Sequence, residues 1–195
     1  TYNGLAIISK FPMTEVITDL PTLVDPQRRI LAVTVAGIRL YNVYVPNGSS
    51  LDSDKYQYKL AWLEKLLGFV AEDLKSYPKM ALVGDFNIAP EDRDVHAPDE
   101  WEGNVLVSPA ERQAFADLLA LGFYDSFRNV PQKDELYSWW DYRAAAFRRN
   151  RGLRIDHIIL SAQLNALCHQ SAIDINPRKA ERPSDHAPVW AMLDL

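Results

Sequence analysis

The sequence predicts a mixed α/β (α+β) fold in a single domain, 1–195, and three observations predict it. Its 195 residues contain no Gly/Ser linker, Pro-rich tract or internal repeat at which two domains would part. Runs of β-branched and aromatic residues are interspersed with segments whose apolar residues recur every three or four positions. These two kinds of segment do not alternate strictly, so hairpins and antiparallel pairing are expected.

Taken in order, Gly4-Leu-Ala-Ile-Ile-Ser9 is strand-like and lies almost at the first residue, Thr1, which predicts a further segment upstream. Ile30 to Ala36 and Ile38 to Val45 are β-rich runs separated by Gly37, the pattern of a tight hairpin. In the second run Ile38, Leu40, Asn42 and Tyr44 share one face by the period-two rule. Pro46-Asn47-Gly48-Ser49-Ser50 breaks that strand. From Asp54 to Lys75 the residues Leu60, Leu63, Leu67, Val70 and Leu74 mark one face of an amphipathic helix. A strand at Met80 to Gly84 stops at Asp85-Phe86-Asn87. Ser108-Pro109-Ala110-Glu111 reads as an N-cap, a first-turn proline and a capping-box glutamate, opening a helix that carries Phe115, Leu118 and Leu119 and ends at Gly122. Arg154 to Leu160 and Pro188 to Leu193 complete the strands.

Composition narrows the class of protein. Hydrophobic residues at 48% and charged residues at 24% exclude a disordered acidic chain. A net charge of −5 argues against a basic nucleic-acid coat protein, while leaving room for a local patch. No apolar run approaches the roughly 20 residues of a membrane span. No basic-then-apolar leader is visible at the start, and the single cysteine, Cys168, excludes an internal disulfide and a cysteine zinc site. A reducing cytoplasmic compartment is expected.

Four places carry candidate chemistry. Asp85 and Asn87 are an i, i+2 pair at the end of an apolar strand, which projects a carboxylate and a carboxamide together at a sheet edge; an Asx turn capping the strand accounts for them equally well. Asp156 is a carboxylate inside an apolar strand, which demands a partner. A metal, a histidine or a salt bridge to Arg154 would each serve. His157 beside it reads as a satisfied histidine. Ser184-Asp185-His186-Ala187-Pro188 offers a metal-binding carboxylate and an imidazole for acid, base or phosphate contact, with Asp156 as the carboxylate that would orient His186. An idle capped turn is its bland counterpart. Asp, Asn, Asp and His without thiolates are hard donors suited to Mg²⁺ or Mn²⁺, the usual equipment for water attack on phosphates. Finally, Trp139 and Trp140 precede Arg143, Arg148, Arg149, Arg151 and Arg154, a local basic patch with aromatics that suits nucleic acid better than a core pair beside a solvated loop.

In order, Tyr-Asn-Gly-Leu-Ala-Ile-Ile-Ser, Tyr44 before Val-Pro-Asn-Gly, Gly-Asp-Phe-Asn, Ser-Trp-Trp-Asp-Tyr-Arg, Gly-Leu-Arg-Ile-Asp-His and Ser-Asp-His-Ala-Pro-Val-Trp resemble the exodeoxyribonuclease III / AP endonuclease group of the endonuclease/exonuclease/phosphatase superfamily. Gly-Asp-Phe-Asn and Ser-Asp-His are shared across the superfamily, whereas Ser-Trp-Trp-Asp-Tyr-Arg and Asn-Arg-Gly-Leu-Arg-Ile-Asp are narrower and point to its DNA-repair branch. The resemblance implies a four-layer αββα sandwich of two mainly antiparallel sheets. It implies a monomeric, Mg²⁺-dependent enzyme that cleaves 5′ to abasic sites, digests duplex DNA 3′ to 5′ and removes 3′-blocking groups. Carried onto this chain, Asp85 activates or orients the attacking water, and Asn87 holds phosphate and water in register. Tyr44 contacts the scissile phosphate or assists the leaving group. Asp185, with Asp85 and Asn87, holds the metal. His186, oriented by Asp156, contacts a phosphate oxygen. Trp139, Trp140, Arg143, Arg148, Arg149 and Arg151 face DNA. The family pattern also starts with a strand bearing an Asn and then a metal-binding Glu; neither is found here, and Glu15 is not in that context. Lower metal affinity and weak or absent turnover by this chain alone are therefore expected. Two other readings are a non-catalytic DNA-binding remnant and a superfamily phosphoesterase acting on lipid or inositol phosphates.

Overall fold

The computed structural model describes residues 4–21, 23, 25–133 and 135–195. Strands β1 (Met13–Ile17), β2 (Ile30–Val35), β3 (Ile38–Tyr44), β4 (Met80–Asp85), β5 (Phe123–Asp125) and β6 (Asp156–Ser161) form a six-stranded sheet in the order β1-β2-β3-β4-β6-β5. The β3–β4 pair is parallel and the others are antiparallel. Strands β7 (Cys168–Ile173) and β8 (Val189–Leu193) pair antiparallel in a second sheet. The helices are α1 (Asp54–Asp73), the short α2 (Pro98–Trp101), α3 (Pro109–Ala120) and the short α4 (Ala162–Asn165).

Side-chain alternation assigns the layers. On β3, Arg39, Tyr41 and Val43 are buried toward the helices, where Tyr41, Val43, Leu82 and Ile159 pack with Trp62, Leu66 and Val70 of α1 and Phe115 and Leu118 of α3. The opposite face of the sheet presents Ile38, Leu40, Ala81, Ile158 and Leu160, which pack against Leu164, Cys168 and Leu193 and so bring β7–β8 against it. Helices, large sheet and small sheet thus stack in that order. Among the described residues the two long helices both lie on the far side of the large sheet, and the outward-facing Trp190 and Met192 of β8 are exposed.

The hairpin, the first long helix and the capped helix lie where the sequence places them, because each is set by local signals. Ser108 accepts from the Glu111 N–H while the Glu111 carboxylate accepts from the Ser108 N–H, a complete capping box. Three expectations need correction. Gly4 to Ser9 forms no strand; the segment is held by Asn42, whose Nδ2 donates to the Ala6 carbonyl at 3.0 Å, and Ile8 stays exposed. Tyr2 and Asn3 of the same motif lie outside the described residues. The buried face of α1 runs through Tyr56, Lys59, Trp62, Leu63, Leu66 and Val70, rotated from the leucine stripe, so that Leu60, Leu67 and Leu74 are only half-buried. β6 starts at Asp156 rather than Arg154, because Arg154 turns inward to buried carboxylates.

Gly84 on β4 sits directly against the backbone of β3. A Cβ there would lie 2.1 Å from the Val43 carbonyl oxygen, and its φ of +132° suits glycine alone. Gly84→Ala is expected to cost on the order of 3 kcal/mol. Urea unfolding measures it, and a loss below about 1 kcal/mol would show that the strands can separate at no great cost.

Candidate active site at the end of the central strands

Register brings the first three site residues together. Tyr44 on β3 pairs with Asp85 on β4, which pairs with Asp156 on β6. Cross-strand partners share a face, so all three project from the end of the sheet on the side of β7–β8. Asn87 arrives by a turn and not by strand alternation. β4 stops at Asp85, Phe86 enters the core, and Asn87 takes a left-handed φ of +49°. The Asp85 carboxylate accepts from the Asn87 backbone N–H (2.8 Å) and from its side-chain Nδ2 (3.0 Å), so the Asx turn and the paired side chains are one arrangement. Asn87 Nδ2 also donates to the Val45 carbonyl at 3.0 Å, and its Oδ1 accepts from Asn47 Nδ2 at 3.0 Å.

His186 reaches the same place from the turn before β8. Its Nδ1 lies 2.8 Å from Asp156 Oδ2, the partner that an apolar-strand carboxylate requires. Burial works against the imidazolium, but the hydrogen bond and charge of Asp156, with Asp85 and Asp185 nearby, outweigh it and raise His186 to about 9. Burial, and then the charge of Asp156, raise Asp85 to about 7 against the opposing pull of His186. A carboxylate poised near neutrality beside an imidazolium is equipped to take and give protons. His157 is the contrast: fully buried, it is pushed down to about 3, stays neutral, and is bound through Nε2 to the Ile88 carbonyl (2.9 Å).

Ser138, buried and given no role by the sequence reading although it opens the Ser-Trp-Trp motif, ties Asp156 and the turn of His186 together. Its Oγ accepts from the N–H groups of Ile155 and Asp156, each at 3.0 Å, and its carbonyl accepts from Ala187 N–H at 2.7 Å. Asp94 was equally silent; it is buried, and pairs with Arg154 and Arg128 while Arg154 also reaches Asp125. The presence of Ser138 directly before Trp-Trp was its only signal, and Asp94 had none.

Of the metal set read from the sequence, Asp185, Asp85 and Asn87, the Asp85 carboxylate and the Asn87 amide are in direct contact at 3.0 Å. Among the described residues no three His, Cys, Asp or Glu side chains are placed to hold a metal ion together. The amide of Asn87 is engaged as above, and Asp185 Oδ2 accepts from Trp139 Nε1 at 3.0 Å. A hard cation such as Mg²⁺ keeps several waters and is held by one or two carboxylates, so Asp85 and Asp185 are of the donor type that would hold one.

The aromatic–arginine segment divides. Trp140 is a correction: at 1% exposure it is core, packed on Phe147, with Nε1 donating to Asn150 Oδ1 (3.2 Å). Gly152 must be glycine there, since a Cβ would lie 2.5 Å from Trp140 Nε1. Trp139 is half-buried. It lines an open cleft of about 460 Å³ together with His96, Trp101, Arg143, Arg149 and Arg151. Arg143, Arg148 and Arg149 are exposed, Arg143 pairing with Asp141 at 3.0 Å. Arg151 is anchored by Glu100 and by His96 Nε2 at 3.2 Å. No helix among the described residues is long and apolar enough to cross a membrane.

Ser138→Ala strands two buried N–H groups and is expected to cost about 2 kcal/mol in urea unfolding; Ser138→Thr, which keeps the oxygen, should recover most of it, and equal losses would refute the assignment. In EDTA, the His186 ring should titrate by NMR well above pH 7. Because its folded value is raised, its contribution to stability is complete below the ordinary histidine value of 6.5 and disappears as pH rises through about 9. Asp156→Asn should bring the midpoint down, and a midpoint at or below 6.5 in the unsubstituted protein would contradict the dyad.

Comparison with known proteins places these features in a family. The model of the endonuclease/exonuclease/phosphatase family matches residues 1–186. The exodeoxyribonuclease of Bacillus subtilis is 33% identical over all of this chain and 75% of its own length. The solved 3′ phosphatase NExo from Neisseria, bound to a product DNA hairpin, is 45% identical with a TM-score of 0.94, over 96% of this chain and 73% of that one. An AP endonuclease from Archaeoglobus fulgidus is 36% identical with a TM-score of 0.90, over 95% and 72% of the respective chains. The chain belongs to the endonuclease/exonuclease/phosphatase family, on the branch of the exodeoxyribonucleases and AP endonucleases.

Proposed function

We propose that the protein is a DNA-repair phosphodiesterase that incises duplex DNA 5′ to abasic sites and trims or dephosphorylates 3′ ends. The observation that carries this is the half-buried Asp85–Asp156–His186 group at the end of the sheet, next to a cleft edged by Trp139 and arginines. Asp85, with its raised value, positions a water and takes its proton. His186, held charged by Asp156, hydrogen-bonds the phosphate oxygen on which charge builds. Asn87 keeps the Asp85 carboxylate in orientation, and Tyr44 lies one strand away, where the leaving oxygen would depart. Arg143, Arg148 and Arg149 grip the backbone without reading sequence.

Members of this family act with a divalent metal, and oxygen donors favour Mg²⁺ or Mn²⁺; the ion enters here as a component of the assay. Removal of a 3′ phosphate is a second reading of the same site, favoured by the 45% identity to a 3′ phosphatase against 36% to an AP endonuclease.

The test is cleavage of a labelled duplex bearing one abasic analogue, and of a duplex bearing a 3′ phosphate, with Mg²⁺ and with EDTA. Product at either substrate with Mg²⁺, reduced about a hundredfold or more by Asp85→Ala, is the expected result. DNA binding without any product, persisting when the strand and metal-binding Glu of the family pattern are supplied upstream, would establish the non-catalytic reading, and turnover of an inositol phosphate run in parallel, with none on DNA, would establish the other.

A further inference from the structure

Helix α1 turns a lysine toward the interior. Lys59 and its partner on α3, Glu111, are both at 0% exposure. Replacing a buried ion pair with apolar residues is often neutral or stabilising, so stability alone gives little reason for a charge at this position. What an apolar pair cannot supply is three hydrogen-bond donors. Besides Glu111, the Lys59 ammonium donates to the Asn87 carbonyl at 2.6 Å and to the Asn47 carbonyl at 3.2 Å.

Those two carbonyls belong to the loops that leave β3 and β4, the parallel pair whose ends carry Tyr44 and Asp85. The side chains of the same residues are joined by Asn47 Nδ2 donating to Asn87 Oδ1, and Asn87 Nδ2 continues to Asp85 Oδ2, each at 3.0 Å. Glu111 neutralises the lysine and is itself fixed by the N–H groups of Leu106 and Ser108, both at 3.0 Å. A path of hydrogen bonds therefore runs from the helical layer to the carboxylate at the end of the sheet.

We propose that Lys59 is a positioning residue: its buried ammonium clamps the Asn47 and Asn87 loops together from behind and so fixes the orientation of the Asp85 carboxylate. The inference rests on the hydrolytic reading of that site. Lys59 does not touch the reacting atoms. An ammonium suits three acceptors in separate directions, whereas a planar guanidinium does not.

Two variants separate positioning from simple structural support. Lys59→Met with Glu111→Gln removes both buried charges and keeps an acceptor for the α3 cap. Glu111→Gln alone keeps the lysine and its two carbonyls. If Lys59 positions, the double variant recovers the melting temperature lost by Lys59→Met, yet its kcat on the DNA substrate stays down about tenfold with KM within about twofold. Glu111→Gln loses stability while keeping its kcat. If the pair only supports the fold, kcat follows the melting temperature in both variants, and the proposal is overturned. The Asn47 and Asn87 side-chain amide resonances give a readout that needs no substrate, so it stands apart from the assignment of hydrolysis. They should shift in the double variant and hold in Glu111→Gln. Spectra of the double variant superimposable on those of the unsubstituted protein would overturn the clamp whatever the DNA assay shows.

Discussion

Asp85 and Asp156 are carboxylates on directly paired positions of adjacent strands, and much of the molecule is organised by the need to keep both there. Burial and like-charge repulsion make that pairing costly. The protein meets that cost in three ways. His186 supplies a cation against Asp156, the Asn87 turn supplies two N–H donors to Asp85, and the charge of Lys59 lies close enough to oppose the upward shift of Asp85. The first two require loops to reach the end of the sheet, and the third requires helix α1 to turn a charged side chain inward.

A second charged network a short distance away differs from the first in its charge balance. Arg154 and Arg128 meet Asp94 and Asp125, with Phe127 under both guanidinium groups at 5.0 and 5.5 Å. Two cations face two anions and His157 beside them is held neutral, so the charges of the set balance. Around Asp85, by contrast, Asp156 and Asp185 face one imidazolium, so negative charge is in excess and protons are held that an isolated carboxylate would release. Strongly perturbed groups in a cleft are candidates for chemistry, the part that the proposed function gives to Asp85 and His186. The balanced network also anchors the chain two residues before Asp156, so the candidate site is mounted on the balanced one.

What could be read from the sequence follows the range of the interactions. The β2–β3 hairpin, the length of α1 and the capping box of α3 depend on residues a few positions apart and were legible. β5 is only three residues long and β7 begins with the polar run Cys-His-Gln-Ser, so neither showed a strand pattern. The Asp156–His186 contact was legible despite a separation of 30 positions, because a carboxylate among Ile155, Ile158 and Ile159 had to have a partner. Lys59 was not. A lysine on an amphipathic helix reads as solvated, and only the arrival of Glu111 from another helix reveals that the face had turned inward.

The two adjacent tryptophans show why the narrower motifs belong together. Trp140 packs over Gly152 and binds Asn150, which shapes the loop carrying Arg148, Arg149 and Arg151. Trp139 bridges to Leu153 and to His186 along the backbone, and its indole N–H holds Asp185. One residue therefore fixes the arginine loop, and its neighbour fixes the turn that carries His186. The two features share a single support two residues long. In the proposed nuclease, the residues that would grip DNA and the one that would meet its phosphate are therefore held by the same dipeptide.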